Sequence, residues 1–386
     1  MHTSVDSQQN TKRVRIGAFF GKYAMPIIAV TLALITCIFV PFDKEYLGYF
    51  DLSTLATLFC TLAVVSAFKN IRFFTWLAKK IVLKFGNLRN TVFALVFVTY
   101  FGSMIMANDM ALITFLPLGY VALESCNRRD KMPIVFVMQN VAANLGGMLT
   151  PFGNPQNIYL FGFYGLNTTE FLRIMALPCA VALLLIVGVC LCVKKDKIQL
   201  YAEQEKTPST WRSIVYAVLF VLSILIVFDV LPWYIVFAVV IVAMFALDYR
   251  ALGKVDYGLL LTFTAFFVFS GNLARIDAIN DILSHIVSTS PLLVGITSCQ
   301  FISNVPTAVL LSKFTNDYAN LIVAVNIGGL GTPIASLASL ITLNEFRKHN
   351  HTAIKRYLAV FFAINFSFLL VLTGAQLLAM LLYGLL

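Results

Sequence analysis

The sequence predicts an all-α polytopic membrane protein made of two inverted-topology repeats, each with a re-entrant helical hairpin and a discontinuous transmembrane helix. Three observations predict it: an apolar composition, basic residues that mark alternate connections, and two apolar stretches broken by Gly, Pro and amide residues. Of 386 residues, 60% are hydrophobic and only 12% are charged, and the mean hydropathy is +0.86. A soluble domain is roughly 45–50% apolar and about 25% charged, so a water-soluble chain is excluded. The net charge of +10 would suit nucleic acid on a soluble protein. Here Lys and Arg lie in short connections beside apolar runs, where they report orientation, and nucleic acid is not expected as a partner.

The elements follow in order. Apolar runs of spanning length cover 23–40, 52–68, 171–193, 211–230, 234–247, 257–271 and 353–382. Lys12, Arg13, Arg15 and Lys22 place the tail, 1–22, on the cytoplasmic side. No small-residue cleavage site with a polar domain follows, so the first span is read as uncleaved. Loop 43–51 holds a single Lys44 and is outside, whereas 69–89, with Lys69, Arg72, Lys79, Lys80, Lys84 and Arg89, is inside. Arg128, Arg129 and Lys131 are inside as well. The apolar stretch 90–127 between them is interrupted at Asn108-Asp109. Two crossings of about 17 residues each or one re-entrant hairpin would both satisfy this count. The polar tip favours the hairpin, because non-helical backbone at membrane depth needs cover from protein or a wet cavity. Segment 133–163 crosses outward, and 171–193 returns to Lys194, Lys195 and Lys197, which open a cytoplasmic linker, 194–210.

The second half starts with a connecting span, 211–230. After 234–247 and 257–271 comes an amphipathic arm, 272–290, matching a basic arm at 70–85. A second broken stretch, 291–314, turns at Ser303-Asn304; 316–343 crosses inward to Arg347, Lys348, Lys355 and Arg356. The repeats are therefore 23–193 and 231–386, the second upside down relative to the first. Paired Gly/Pro-interrupted segments in two such halves point to a transporter's binding site.

At the first break, Gly153 permits irregular backbone, Asn154 suits an N-cap and Pro155 suits the first helical turn. The same parse at the second break makes Gly331 the interruption, Thr332 the cap and Pro333 the helix start. Asn108 or Asp109, and Ser303 or Asn304, are expected to cap the second legs of the hairpins. Four helix N-termini then meet at mid-membrane, with free N–H groups and partial positive charge that favour an anion. Asn140, Asn144, Gln156, Asn157 and Asn326 add amides near the breaks, and Ser336 and Ser339 follow the second one. Asp109 is an acid at membrane depth, a functional candidate by default; it carries a coupling proton, helps hold sodium, or only caps a helix.

The segments "MANDMALITFLPL", "TPFGNPQNIYLF", "FISNVPTAVLLSKF" and "NIGGLGTPIASLASLITL" resemble the signature segments of the ion transporter superfamily. Asn108-Asp109 followed by Thr-Phe-Leu-Pro resembles its arsenical-pump and anion-permease branch. Ser303-Asn304 resembles the Ser-Asn-Thr tips of the divalent anion–sodium symporters, with Val305 where their threonine stands. The resemblance implies hairpins entering from opposite faces, an elevator-like alternating-access movement, sodium or proton coupling, no other cofactor, and a homodimer. Substrates of such carriers include di- and tricarboxylates such as citrate, sulfate and arsenite. Carried over, the resemblance implies ligand and coupling-ion roles for Asn108, Asp109, Asn154, Ser303, Asn304 and Thr332. With the residues at the breaks, the expected substrate site is Asn108, Asn154, Pro155, Gln156, Asn157, Ser303, Asn304, Thr332 and Pro333. Coupling-ion roles fall to Asp109, Asn144, Gly153, Asn326 and Gly331.

The expectation is a secondary active anion transporter of a bacterial plasma membrane. Its rivals are a sodium/proton antiporter of the same superfamily and a passive anion channel. An enzyme is not expected. The seven cysteines are scattered without metal-ligand spacing, and the histidines, His2, His285, His349 and His351, lie in the tail, an arm and a loop.

Overall fold

Hydrocarbon offers no hydrogen-bond partner to a backbone, so a spanning chain must satisfy its own peptide groups. The computed structural model describes residues 25–82, 84–198 and 206–382. The tail expected at 1–22 and the middle of the linker lie outside the described residues. Among these, every regular element is a helix, and the single β-bridge, between Asn87 and Lys197, is isolated.

The first half comprises α1 (Met25–Phe39), a 3-10 turn (Lys44–Tyr49), α2 (Leu52–Asn70), α3 (Phe73–Val82), α4 (Leu88–Met106), α5 (Asn108–Ser125), α6 (Met132–Gly147), α7 (Pro155–Phe163) and α8 (Thr168–Leu191). Helix α9 (Thr210–Val227) connects the halves. The second half comprises α10 (Trp233–Leu252), α11 (Tyr257–Ala274), α12 (Asp277–Thr289), α13 (Pro291–Ile302), α14 (Asn304–Leu311), α15 (Tyr318–Ile327), α16 (Leu337–His349) and α17 (Ile354–Leu382). The order span, span, arm, hairpin, broken span, span thus occurs twice.

The two copies differ in length. The legs of the first hairpin have 19 and 18 residues. Those of the second have 12 and 8, too short to cross hydrocarbon about 30 Å thick at roughly 1.5 Å per residue.

Side-chain contacts pin the helix ends into two groups. In one, the Asn70 amide donates to Asp248 at 2.8 Å, the Arg89 guanidinium donates to the Val193 carbonyl at 2.7 Å, and Arg128 pairs with Asp196. In the other, Arg275 pairs with Asp43 and Glu45, the Tyr164 hydroxyl donates to the carbonyls of Ser312 and Thr315, and the Tyr318 hydroxyl donates to Glu170 at 2.6 Å. The first group joins ends near the basic clusters, which the sequence reading expects on the cytoplasmic side; the second joins the others. Both outer ends of the α4–α5 hairpin fall in the first group, and the outer end of α14 falls in the second. This arrangement is compatible with two upside-down copies.

Side-chain caps close six of the outer helix ends and one interior one, that of α16. At their outer ends α2, α4, α8, α11, α13 and α15 start with Asp51, Asn87, Asn167, Asp256, Ser290 and Asp317, each accepting a backbone N–H of its own first turn. Such caps satisfy donors that would otherwise be orphaned. At depth, α5, α7 and α14 start with no side-chain cap.

Candidate functional site

Helix α6 is buried along almost its whole length, and α15 is nearly as deeply enclosed. Their polar residues, Gln139, Asn140, Asn144 and Asn326, therefore face protein, not lipid. The interior ends of α5, α7, α14 and α16 gather around them.

The hairpin tips turn at Ala107 (φ 63°, ψ 153°) and Ser303 (φ 73°, ψ 159°). Side-chain crowding makes that region costly for any residue but glycine, yet both copies adopt it. Asn108 and Asn304 are the first helical residues after the turns, and each side-chain oxygen accepts the next N–H, from Asp109 and Val305, both at 3.0 Å. The expected cap of the first tip is thus corrected, Ala107 holding the N-cap position; at the second tip Ser303 holds it as expected but makes no side-chain cap bond, and both asparagines bond one residue onward.

The first break is as expected in position, with Asn154 at the N-cap of α7 and Pro155 at its start. Its side chain does not cap, because it is drawn across to α15. The second break is corrected. Helix α16 starts at Leu337 with Ser336 as N-cap, its hydroxyl accepting the Ala338 N–H at 3.3 Å. Thr332 caps nothing and Pro333 starts no helix. The reason is tertiary: the Thr332 N–H and hydroxyl are both bound to Gln300 of α13, at 2.9 and 3.1 Å.

The correct register between the halves is visible in the chain. "NLGGMLTPFGNPQN" at 144–157 matches "NIGGLGTPIASLAS" at 326–339. Asn144 pairs with Asn326, Thr150-Pro151 with Thr332-Pro333, and Asn154 with Ser336. The shared Gly-X-Pro triplet is a weaker, misleading match.

Hydrogen bonds cross between the matched segments. Asn144 Oδ1 accepts from the Ser336 hydroxyl at 2.8 Å and from the Asn108 amide at 3.1 Å. Asn326 Oδ1 accepts from the amides of Asn154 and Gln156, at 3.4 and 3.3 Å, while its own amide donates to Asn157 Oδ1 at 2.7 Å. Each Asn thus holds the helix start of the other half. The Asn140 amide donates to the Ser339 hydroxyl at 3.3 Å. Asn108, Asn144, Asn154, Gln156, Asn157, Ser303, Asn304 and Asn326 are all buried. Gly153 and Gly331 are buried beside them, whereas Thr332 and Pro333 are only half-buried.

The two tips differ in what they leave unbonded. The Asn304 N–H donates to the Ala335 carbonyl at 3.0 Å, and Pro306 has no N–H. In the first tip the N–H groups of Asn108 and Met110 have no acceptor among the described residues, and neither does that of Gln156 at the start of α7. Three buried oxygens also lack partners there: Asp109 Oδ1, Asn154 Oδ1 and Gln156 Oε1. Unbonded donors suit an anion and unbonded acceptors suit a cation.

A cavity of about 500 Å³ lies between α2, α7, α8 and α9, lined by Asp51, Thr54, Thr57, Ile158, Asn167 and Asp229 among others. Beneath it, a space of about 20 Å³ reaches Ala107 of the first tip and Pro155 of the first break, against Thr61 of α2. Ile158 borders both. Sequence reasoning missed Gln300, the α2 threonines and Ser103, whose hydroxyl donates to the Ala143 carbonyl of α6 at 2.6 Å, since single polar residues in apolar helices do not announce their partners.

Two hairpins, two broken spans and a buried polar junction fit a multi-pass membrane transporter. Residues 16–320 match the citrate transporter family model, CitMHS, and the chain belongs to this family. It is 33% identical to an uncharacterized transporter of Methanocaldococcus jannaschii over 291 residues, covering 75% of this chain and 80% of that protein. It is 31% identical to the inner membrane protein YbiR of Escherichia coli over 310 residues, covering 79% and 83%.

Proposed function

We propose that this protein is a secondary active transporter moving a small oxyanion, a carboxylate foremost, across the plasma membrane together with sodium or a proton. The observation that carries the reading is the buried junction of four half-helix starts, two from each matched half. It leaves N–H donors and oxygen acceptors unbonded at the first tip and at the first break. An anion alone is costly to desolvate, and a paired cation lowers that cost. The helix starts of α5 and α7 supply partial positive charge to the anion. Asp109, Asn154 and Gln156 supply oxygens to the cation. The family's name favours citrate or a related carboxylate.

Alternating access follows from the two-fold design. The cavity between α2, α7, α8 and α9 supports an opening toward one side only, and the inverted halves supply the mirror-related state. An elevator-like movement of the hairpins and broken spans against α2, α9 and α10 fits this division. The N-terminus would be cytoplasmic, following the basic residues.

The test is uptake into proteoliposomes of citrate, succinate, malate, aspartate, sulfate and arsenite, each with a sodium gradient, a proton gradient or neither. Gradient-dependent accumulation of one anion, lost in Asn154→Ala, supports the reading and names substrate and ion. Asp109, an acid with an unpartnered oxygen at depth, favours a second reading, sodium/proton antiport. No anion accumulation, with a sodium gradient moving protons, would replace the first reading by the second.

A further inference from the structure

Helix α2 ends at Asn70, whose amide is bound to Asp248, and α4 starts at Leu88, whose N–H donates to the Asp196 carbonyl at 2.8 Å. Between them, the Gly86 carbonyl accepts the Ile198 N–H at 3.1 Å. Both flanks of α3 are therefore fixed among one group of helix ends. Its 10 residues run along that surface instead of crossing the membrane.

A groove of about 600 Å³ opens between α3 and the two legs of the first hairpin, and every residue lining it is apolar. Phe73, Leu77 and Ile81 form its α3 side; Phe93, Phe97, Phe101 and Ile105 form its α4 wall. The α4 rings follow at four-residue steps, Phe97 lying 5.8 Å from Phe93 and 5.9 Å from Phe101. Phe115 of α5 also lines the groove, its ring occupying the place that a Cβ on Gly102 would take. From Phe93 to Ile105 the wall rises about 18 Å, close to the hydrocarbon of one leaflet, about 15 Å. Leu77, Ile81, Phe101 and Ile105 are exposed, so the groove is open along its length.

The charge at its mouth is positive. Residues 52–108 contain six Lys and Arg and no Asp or Glu. Lys80 and Lys84 are both exposed. Lys80 stands three residues on from Leu77, a neighbouring position on a helix face. Lys84 stands three on from Ile81, with its N–H on the Ile81 carbonyl. Lys80 Nζ lies 5.1 Å from the centre of the Trp76 ring, and tryptophan is enriched at headgroup depth. The equivalent arm of the second half has the opposite sign: α12 carries Asp277 and Asp281 and no Lys or Arg.

We propose that this groove binds one acyl chain of an anionic phospholipid, whose phosphate is held by Lys80 and Lys84. The apolar wall takes the chain, and the two ammonium groups meet the headgroup at the arm. A zwitterionic lipid lacks the net charge, and free phosphate lacks the chain. The site is separate from the polar junction and does not depend on what is transported.

Fluorescence of Trp76 tests the proposal. In the full chain carrying Trp211→Phe and Trp233→Phe, Trp76 is the remaining tryptophan. This protein is placed in phosphatidylcholine nanodiscs containing rising fractions of dibrominated phosphatidylglycerol or dibrominated phosphatidylcholine, whose bromines quench a nearby indole. Half-maximal quenching is expected at a fraction roughly 25-fold lower for the anionic lipid, since each lysine near an anionic lipid surface contributes about fivefold. Lys80→Gln with Lys84→Gln should bring the two lipids to the same fraction. Val98→Phe, which fills the groove and keeps both lysines, should do likewise. Equal fractions without these changes would overturn the proposal. A preference that survives Val98→Phe would leave a charged surface and overturn the groove. Loss of the preference on adding inorganic phosphate at constant ionic strength would make this an anion site without a chain and overturn the lipid.

Discussion

Ala107 and Ser303 turn the chain through nearly the same rare angles, and Asn108 and Asn304 bond the following N–H at the same distance. Beyond that point the tips part. The first leaves the N–H groups of Asn108 and Met110 and an oxygen of Asp109 unbonded; the second hands its Asn304 N–H to Ala335 and has Pro306 where the first has Met110. The two halves share a similar frame, and a few side chains make their tips differ. A buried donor or acceptor without a partner costs about 1–3 kcal/mol. The groups without partners at the first tip are the ones that the proposed ligands would satisfy.

The largest expected effect comes from making the first tip like the second. Met110→Pro removes one free N–H at a position in the first helical turn, where proline is tolerated. Uptake should fall about 100-fold, the lower range for losing one preorganised donor aimed at an anion. Thermal stability should hardly change. Pro306→Met, the reverse exchange, should leave uptake within about twofold, because Ala335 still covers that end. Equal losses in both would erase the distinction between the tips.

Asp109→Asn comes next. The second copy has Val305 at this position, so a carboxylate is not part of the shared frame. Replacing it with an amide keeps the shape and removes the charge. The cation concentration for half-maximal uptake should rise about tenfold, with a smaller change in anion KM. Uptake measured against sodium at fixed pH, and against pH at fixed sodium, also tells which cation is used. An unaltered dependence on both would remove Asp109 from coupling.

The frame itself can be tested through its two matched asparagines. Asn326→Ala strands the amides of Asn154 and Gln156 and an oxygen of Asn157, whereas Asn144→Ala strands the Asn108 amide and the Ser336 hydroxyl. Each loss should cost about 2–3 kcal/mol, and the Asn326 variant the more, because three side chains lose a partner. Unfolding in detergent, followed by a thiol probe of the buried Cys179 and Cys299, reads the order.

Much of this fold was legible because spanning a membrane is a demand on length and apolarity alone. Run 52–68 appears as Leu52–Asn70, and 257–271 as Tyr257–Ala274. The tips were legible too, since asparagine in an apolar run is hard to explain otherwise. The start of α16 was not. Local rules favour Thr332 and Pro333, but Gln300, distant in sequence, holds that loop out of helical conformation. The crosswise pairs, Asn144 with Ser336 and Asn326 with Asn154, were also hidden. Each joins the two halves, so it follows only once the halves are packed. The repeated Asn-X-Gly-Gly…Thr-Pro segment was the signal that aligns them, and it outranks the Gly-X-Pro triplet because it matches over a longer span.

Ser336 and Asn154 make the smallest and most discriminating pair. They occupy equivalent positions, each starting a half-helix in extended backbone, at φ −146° and −138°. The Ser336 hydroxyl caps α16 and donates to Asn144; the Asn154 side chain caps nothing and keeps a buried oxygen unpartnered. Ser336→Ala should therefore cost about 1 kcal/mol, the worth of an N-cap, and leave anion KM nearly unchanged. Asn154→Ala removes an unsatisfied oxygen along with one long hydrogen bond, so its stability cost should be smaller still. Its uptake should nonetheless be lost. Thermal unfolding and uptake on the same two preparations give the comparison directly. Stability lost at 154 and transport lost at 336 would move the working end to the second half.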